Sequence, residues 1–519
     1  MSADAASNNG RAVDPHARTV ATFDRTYAFR VMAIMAVLVM IVMYVEGMLT
    51  PSLPGIASDF HVSVSQVSLV LSVYLVTGVA LSPITGKLGD VYGKKRVLTT
   101  VLAIYAVAVS VTGFSPSFEF MVASRAIQGV GLTVFPLAMS LVREEFPREM
   151  VPRAQGILSG LFGAGFAVSL PLGAFVSNDF GWRFTYHSAI PVVAAVALLS
   201  FLILRESPYR RPKAYVDYAG AGILAVALAM VVLGLSQGPV WGWTSTSVLL
   251  LMVGGAALLI PTALVEIYQH RKGLEVILDF PLLRKRNVMV TNIIFIISGF
   301  GMFLAFQALT FRLEYPMPIG FGLSIFETGL SFVAFAVPML IFAPLASFVV
   351  TRVGTKPLTI LGCGVGAGGF YLATLANSLP QLLGSMFVIG AGLAVMNSSV
   401  INLLVLTVEP RDMGLATALN AVFRNVGSSL GAPLAGSLMS TYTIIAYGQV
   451  FPSATAFHDA YLLAVGATLL AGVAAIFAHE ILGKRAVREA LASDEVAPAA
   501  DTIPPSRDVE PTPSANPGA

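Results

Sequence analysis

A chain of 519 residues with 56% hydrophobic and only 11% charged side chains is too apolar for a water-soluble globule, in which roughly a quarter of the residues are charged. Its mean hydropathy is +0.80 and its net charge only +3, with no basic surplus of the kind a nucleic-acid partner would require. The apolar residues are gathered in runs of about twenty, the length that crosses roughly 30 Å of hydrocarbon. The bilayer is therefore the expected solvent, and a lone cysteine, Cys363, excludes an internal disulfide.

In chain order, a polar stretch (1–29) without a small-residue cleavage site predicts a cytoplasmic tail followed by a retained helix rather than a signal peptide. Membrane spans are then predicted near 30–53, 65–86, 97–114, 119–142, 154–178 and 185–204, forming an N-terminal unit, 30–204. An extra pair near 218–237 and 247–268 lies within 205–288 with its flanking loops. Further spans near 289–313, 326–349, 358–376, 381–407, 414–440 and 459–481 make a C-terminal unit, 289–481. The remainder, 482–519, is rich in Ala, Pro, Asp and Glu and reads as a disordered cytoplasmic tail.

This gives an all-α integral membrane protein with fourteen transmembrane helices and both termini on one side. With a cytoplasmic N-terminus, the inner loops hold a dense series of cations, among them Lys87, Lys94, Lys95, Arg96, Arg143, Arg205, Arg271, Arg286, Arg352 and Arg411, while the outer loops hold Arg183 and Arg312. Shifting the frame by one helix inverts that asymmetry. The chain also repeats: 344−83 = 354−93 = 261 relates Pro83 to Pro344 and Gly93 to Gly354, and the same offset relates Ser124, Gly129 and Gly131 to Ser385, Gly390 and Gly392. Gly165 and Pro171 match Gly427 and Pro433 at 262, so two six-helix halves flank the extra pair.

Several motifs carry chemistry. Between the second and third spans the chain reads G-K-L-G-D-V-Y-G-K-K-R, with Gly86, Asp90, Gly93, Lys94, Lys95 and Arg96 at its marked positions. Glycines there allow a tight turn and close helix approach, and Asp90 can meet a helix N-terminus or a neighbouring arginine. The fourth span contains R-A-I-Q-G-V-G, in which Arg125 and Gln128 share a face. An arginine in hydrocarbon either faces a partner or water, or snorkels toward a helix end. On the fifth span Gly156, Gly160, Gly163, Gly165 and Gly173, with Pro171, give a smooth packing face. Beyond it come G-W-R-F-T-Y-H-S-A-I-P and D-Y-A-G.

Together these motifs resemble the fourteen-helix drug:proton antiporter branch of the major facilitator superfamily, across essentially the whole chain between the tails. The first loop is similar to that family's conformational-switch signature, G-x-L-x-D-x-x-G-[RK]-[RK]-R, and Arg125–Gln128 to its R-x-x-Q-G motif. The second copy of the loop has Ser347 and Thr351 where the first has Gly86 and Asp90. On the fifth span the family's G-P-x-x-G-G is represented by S-L-P-L-G-A, with Gly173 in place and Pro171 one position late. The resemblance implies a major facilitator fold, a site at the midplane between the halves and multidrug efflux by alternating access in the cell membrane.

Glu46 is the one acidic residue that falls deep in a predicted core helix. Intramembrane carboxylates are expensive and usually functional, and burial disfavours the charged form, as a group that loads and releases protons requires. The alternative is a structural hydrogen bond to a neighbouring helix. Glu46 is thus expected to couple proton inflow to substrate export and, when ionised, to offer a counter-charge to cationic substrates. Tyr74, Arg125, Gln128, Gln307, Asn397, Asn402 and Arg424 are expected to line the substrate cavity with it. No G-x-x-x-x-G-K-[ST] loop occurs, so no ATP drive is implied; an enzyme, a cofactor and a metal are likewise not expected. The expected partners are the lipid bilayer, protons and a small amphipathic organic molecule, bound by a monomer. A facilitator or proton symporter importing a metabolite is the second reading, and a membrane sensor or lipid-moving scaffold a third.

Overall fold

The computed structural model describes residues 25–146, 151–206, 218–272, 280–408 and 413–480; the two tails expected at 1–29 and 482–519 lie almost wholly outside them. The N-terminal half comprises α1 (Arg25–Gly47), α2 (Leu69–Tyr92), α3 (Lys94–Gly113), α4 (Phe118–Glu145), α5 (Val151–Phe180) and α6 (Trp182–Ile203). The additional pair is α7 (Tyr218–Trp241) and α8 (Thr246–Arg271). The C-terminal half holds α9 (Arg286–Glu314), α10 (Val333–Val353), α11 (Thr355–Leu375), α12 (Leu379–Thr407), α13 (Met413–Thr441) and α14 (Ala454–Ile476). Among the described residues twelve spans are long and apolar enough to cross a membrane. Two further long helices, α5 and α13, pack among them.

Packing repeats from half to half. In the first, α1 packs on α5, α3 on α6 and α2 on α4; in the second, α9 packs on α13, α11 on α14 and α10 on α12. The reason lies in the glycines. A Cβ on Gly129 would stand 2.5 Å from the Tyr74 carbonyl oxygen, and one on Gly390 2.3 Å from that of Phe335. Gly131 likewise faces Tyr105 and Gly392 faces Gly366. These partners keep the sequence offset, since 335−74 = 366−105 = 261. Small residues let backbones touch where lipid supplies no hydrophobic drive between helices.

The halves meet along two seams related by the same repeat, α2 with α13 and α5 with the short helix Ile325–Ser331 that leads into α10. At the end of the bundle that carries a β-hairpin, Ser65 N donates to Ser440 Oγ at 3.0 Å, Phe166 of α5 stacks on Phe306 of α9 at 6.1 Å, and Phe175 meets Phe326 at 5.9 Å. The opposite, basic end carries the turn between α2 and α3. Helix α7 lies against both halves: Leu228 and Val232 pack with Val76 and Val79 of α2 and with Val422 and Val426 of α13, and Ser236 Oγ donates to Ser65 O at 2.7 Å.

Three local details differ from the sequence expectation. The first span does not run straight through 30–53: α1 ends at Gly47, and Thr50–Ser52 and Leu53–Asp59 continue it as short helical turns. Pro51 and Pro54 cause this, because proline lacks an N–H and is tolerated only in a first turn. The last span begins at Ala454 rather than 459, where Ser453 caps the helix by accepting from Ala456 N. Before it lies an unforeseen hairpin, β1 (Thr443–Ala446) paired with β2 (Gln449–Pro452). Its turn residues Tyr447 and Gly448 have φ of +51° and +71°, the conformation that two-residue hairpins favour.

Candidate functional site

Glu46 sits one residue before α1 breaks, 8% exposed, and lies within electrostatic reach of Arg424 on α13 and Arg125 on α4. One carboxylate thus faces a guanidinium from each half. The break is held in place by α5: a Cβ on Gly173 would stand 2.5 Å from Met48 O, and Gly165 faces Met40. Both belong to the small-residue face expected on the fifth span, and Pro171 lies within the helix between them. The packing of Gly156, Gly160 and Gly163 lies outside the described residues.

Arg125 is fully buried. Its Nε donates to Val70 O at 3.0 Å and its Nη1 to Gln128 Oε1 at 3.0 Å, while the guanidinium lies 4.7 Å from the Tyr74 ring centroid. Gln128 in turn donates to Thr112 Oγ1 and to Ala108 O, the latter at 3.2 Å. The motif falls where α4 tightens to a 3-10 turn at Gly129–Thr133, so Gln128 is presented to α3 and Arg125 to α2. A desolvated cation–π contact contributes about 2 kcal/mol, which helps hold a charge that hydrocarbon would expel. Arg125 is therefore bonded within the bundle rather than snorkelling. The hydroxyls of Tyr74 and Tyr105 are enclosed without a hydrogen-bond partner and lie within electrostatic reach of Glu46, while Tyr186 lies beside Arg125 and Gln128. Tyr105 and Tyr186 escaped the sequence reading, since a tyrosine in an apolar run has no signal of its own.

The other expected cavity residues divide. Gln307 is buried and its Nε2 reaches Val64 O across the seam at 3.5 Å. Asn402 is engaged elsewhere, donating to Ser398 O at 2.8 Å and Ser347 Oγ at 3.3 Å between α10 and α12. Asn397 is half-buried on α12. Arg424 and its neighbour Asn425 are half-buried on α13.

At the basic end Gly93 makes the turn, with φ +105°. Gly86 lies inside α2, where a Cβ would meet nothing within 4 Å. Asp90 ends α2 with its Oδ1 3.8 Å from Lys94 Nζ, so its partner is a lysine rather than an arginine, and Lys94 also binds Glu144. Glu206, after α6, accepts from Lys95 N at 3.2 Å and pairs with Arg96 at 3.5 Å, placing a carboxylate at the N-terminus of α3. The second half repeats the device. Gly354 has φ +104°, and Glu480 accepts from Thr355 N and Lys356 N at 3.1 and 3.0 Å. Glu144, Glu206 and Glu480 were missed because they follow the helices they brace by long stretches of chain. Gly93→Ala should lower the melting temperature of the purified protein by the equivalent of about 1–3 kcal/mol, because a Cβ there would also stand 2.4 Å from Glu206 Oε1. An unchanged melting temperature would show that the turn adapts.

The fold and this buried charge cluster define an integral, multi-pass helical transporter built from two repeated halves. The sequence profile of the Major Facilitator Superfamily matches residues 35–320 and 291–499, and the chain belongs to that family. It is 28% identical over 404 residues to the tetracenomycin C resistance and export protein of Streptomyces glaucescens, covering 77% of this chain and 73% of that protein. It is also 28% identical over 405 residues to an uncharacterized MFS-type transporter of Mycobacterium tuberculosis, where the match covers 76% of this chain but only 57% of the relative. In fold it resembles a bacterial homolog of the human lysosomal transporter Spinster in an inward-facing, unoccupied conformation, with TM-score 0.63 and 14% identity over 90% of this chain and 98% of that one. As a member of that family with its many membrane-spanning helices, the protein is a multi-pass membrane transporter and not an enzyme.

Proposed function

We propose that this protein is a proton-coupled secondary active transporter that exports small amphipathic organic compounds by alternating access. The reading rests on one observation: the buried Glu46 lies within electrostatic reach of Arg125 in its own half and of the half-buried Arg424 in the other, between halves that meet at the hairpin end. In this reading all fourteen long helices span the bilayer, both termini and the basic end are cytoplasmic, and the hairpin end is outside and closed. Inward protons and outward substrate use Glu46 in alternation, so neither completes its passage without the other. The export activity named for the Streptomyces relative supports the direction. Export of a lipophilic dye from a sensitised host, collapsing on addition of an uncoupler, is the expected result. Dye retention with or without uncoupler would refute it.

The second reading, proton-driven import, is favoured by S-L-P-L-G-A where exporters carry G-P-x-x-G-G. Uncoupler-sensitive uptake in the same assay would establish it instead.

The paired turns at the basic end act as the switch. Asp90→Asn removes one charge beside Lys94, outside the central site, and should slow transport severalfold while expression and substrate binding stay near normal. Comparable initial rates for variant and parent in vesicles would rule out a switching role for Asp90.

A further inference from the structure

Glu314 is the last residue of α9, at the hairpin end. It lies one residue beyond the span predicted to end at 313, yet its Oε1 is sealed from solvent and accepts no hydrogen bond, although the residue as a whole reaches the rim. The chain beyond it folds back over the helix end: Phe321 N donates to Arg312 O at 2.9 Å and Leu323 N to Leu313 O at 2.9 Å. That end of α9 packs against Thr50–Ser52 and Leu53–Asp59 of the other half, where the two halves close.

The ionisable groups described nearest this end of α9 are engaged with other groups, and His187, whose Nε2 is also buried without a partner, packs between Phe114 and Phe184 in the other half. Arg312 turns away to Ala373 O at 3.0 Å and Ala376 O, and lies over the Tyr461 ring. Asp59 binds Trp182 Nε1 at 2.8 Å and Arg183 at 3.2 Å. Glu327 caps its own short helix through Ser324, His458 pairs with Asp459, and Tyr315 packs between Phe311 and Phe451. Glu314 is left with a sealed oxygen and no cation.

We propose that Glu314 is a second proton-binding carboxylate, which takes a proton from the outer water when the hairpin end is open and must hold it for that end to close. The inference rests on the proposed proton-coupled transport and adds a proton site distinct from Glu46. An ionised carboxylate with one oxygen sealed and no donor to it is penalised, whereas a protonated one is penalised less. Closure therefore binds a proton, and a rise in pH, by ionising Glu314, drives the end open. A proton transfers between outer water and a carboxylate oxygen; no other bond changes.

The test uses the full chain in lipid nanodiscs, with spin labels on Asn178→Cys and Asn377→Cys, exposed positions at the hairpin ends of the two halves, and the buried Cys363 replaced by serine. Double electron–electron resonance distances are read from acid to alkaline pH. The expected result is a population that shifts to longer distances as pH rises, that persists in Glu46→Gln and Glu314→Asp, and that disappears in Glu314→Gln with the short distance retained. A full shift in Glu314→Gln would overturn the proposal, as would a shift abolished by Glu46→Gln alone or absent from the parent. The readout needs no substrate, so a failed efflux assay and a failed Glu314 assignment remain distinguishable.

Discussion

Glu46→Gln is expected to fold and to bind neutral substrates, yet to lose concentrative, pH-driven transport in reconstituted vesicles. Gln keeps the size and hydrogen-bonding capacity of Glu46 but fixes the neutral state, so the site can no longer alternate between proton and substrate. A driving force equivalent to 100 mV is worth about 2.3 kcal/mol per charge, enough for roughly fiftyfold accumulation; the variant should only equilibrate. Glu46→Asp should retain part of the activity, since the carboxylate survives with a shorter reach toward Arg424 and Arg125. Accumulation by Glu46→Gln equal to that of the parent would remove this residue from the coupling mechanism.

Arg125→Lys should cut transport by roughly tenfold or more and lower thermal stability, despite conserving charge. The guanidinium fork serves Val70 O and Gln128 Oε1 at once while its flat face lies on Tyr74. An ammonium group cannot reproduce that geometry. Each acceptor left unsatisfied in the bundle costs about 1–3 kcal/mol, so the melting temperature and the transport rate should fall together. A lysine variant with parental stability and rate would show that only the charge matters at this position. Gln128→Ala makes a useful comparison, because it removes the orienting side chain but leaves Arg125 bound to Val70 O.

Much of the architecture was legible from local pattern. Apolar runs of about twenty residues fall on the long helices, with ends displaced by only a few residues at most positions. Glycines at a fixed offset of 261 proved to be contact points that recur with the same partners in each half, Gly129 against Tyr74 and Gly390 against Phe335. Such features are readable because hydropathy and glycine spacing act within one helix or between neighbours along the chain. The candidate proton site was legible for a similar reason: a carboxylate such as Glu46 is conspicuous against hydrocarbon whatever surrounds it.

What tertiary structure alone decided concerns groups that meet across long separations. Arg125 acquired Tyr105 and Tyr186 as neighbours, Glu206 and Glu480 came to cap the helices opened by Gly93 and Gly354, and Asn402 was drawn away to Ser347. The place of α7, against α2 and α13 together, likewise follows from shape rather than from its own nearly uniform apolar sequence. Glu314 illustrates the limit most directly. One residue beyond the predicted end of a span it reads as a solvated loop carboxylate, and only the fold encloses its oxygen, at a helix end over which the chain turns back from Tyr315 to Leu323. Solvation is set by everything packed around an atom, and hydropathy along the chain records only its sequence neighbours. The sequence by itself therefore determined that the chain crosses the membrane as two related halves and where a charge would be costly, while the tertiary structure decided which of those charges are paired and which are sealed.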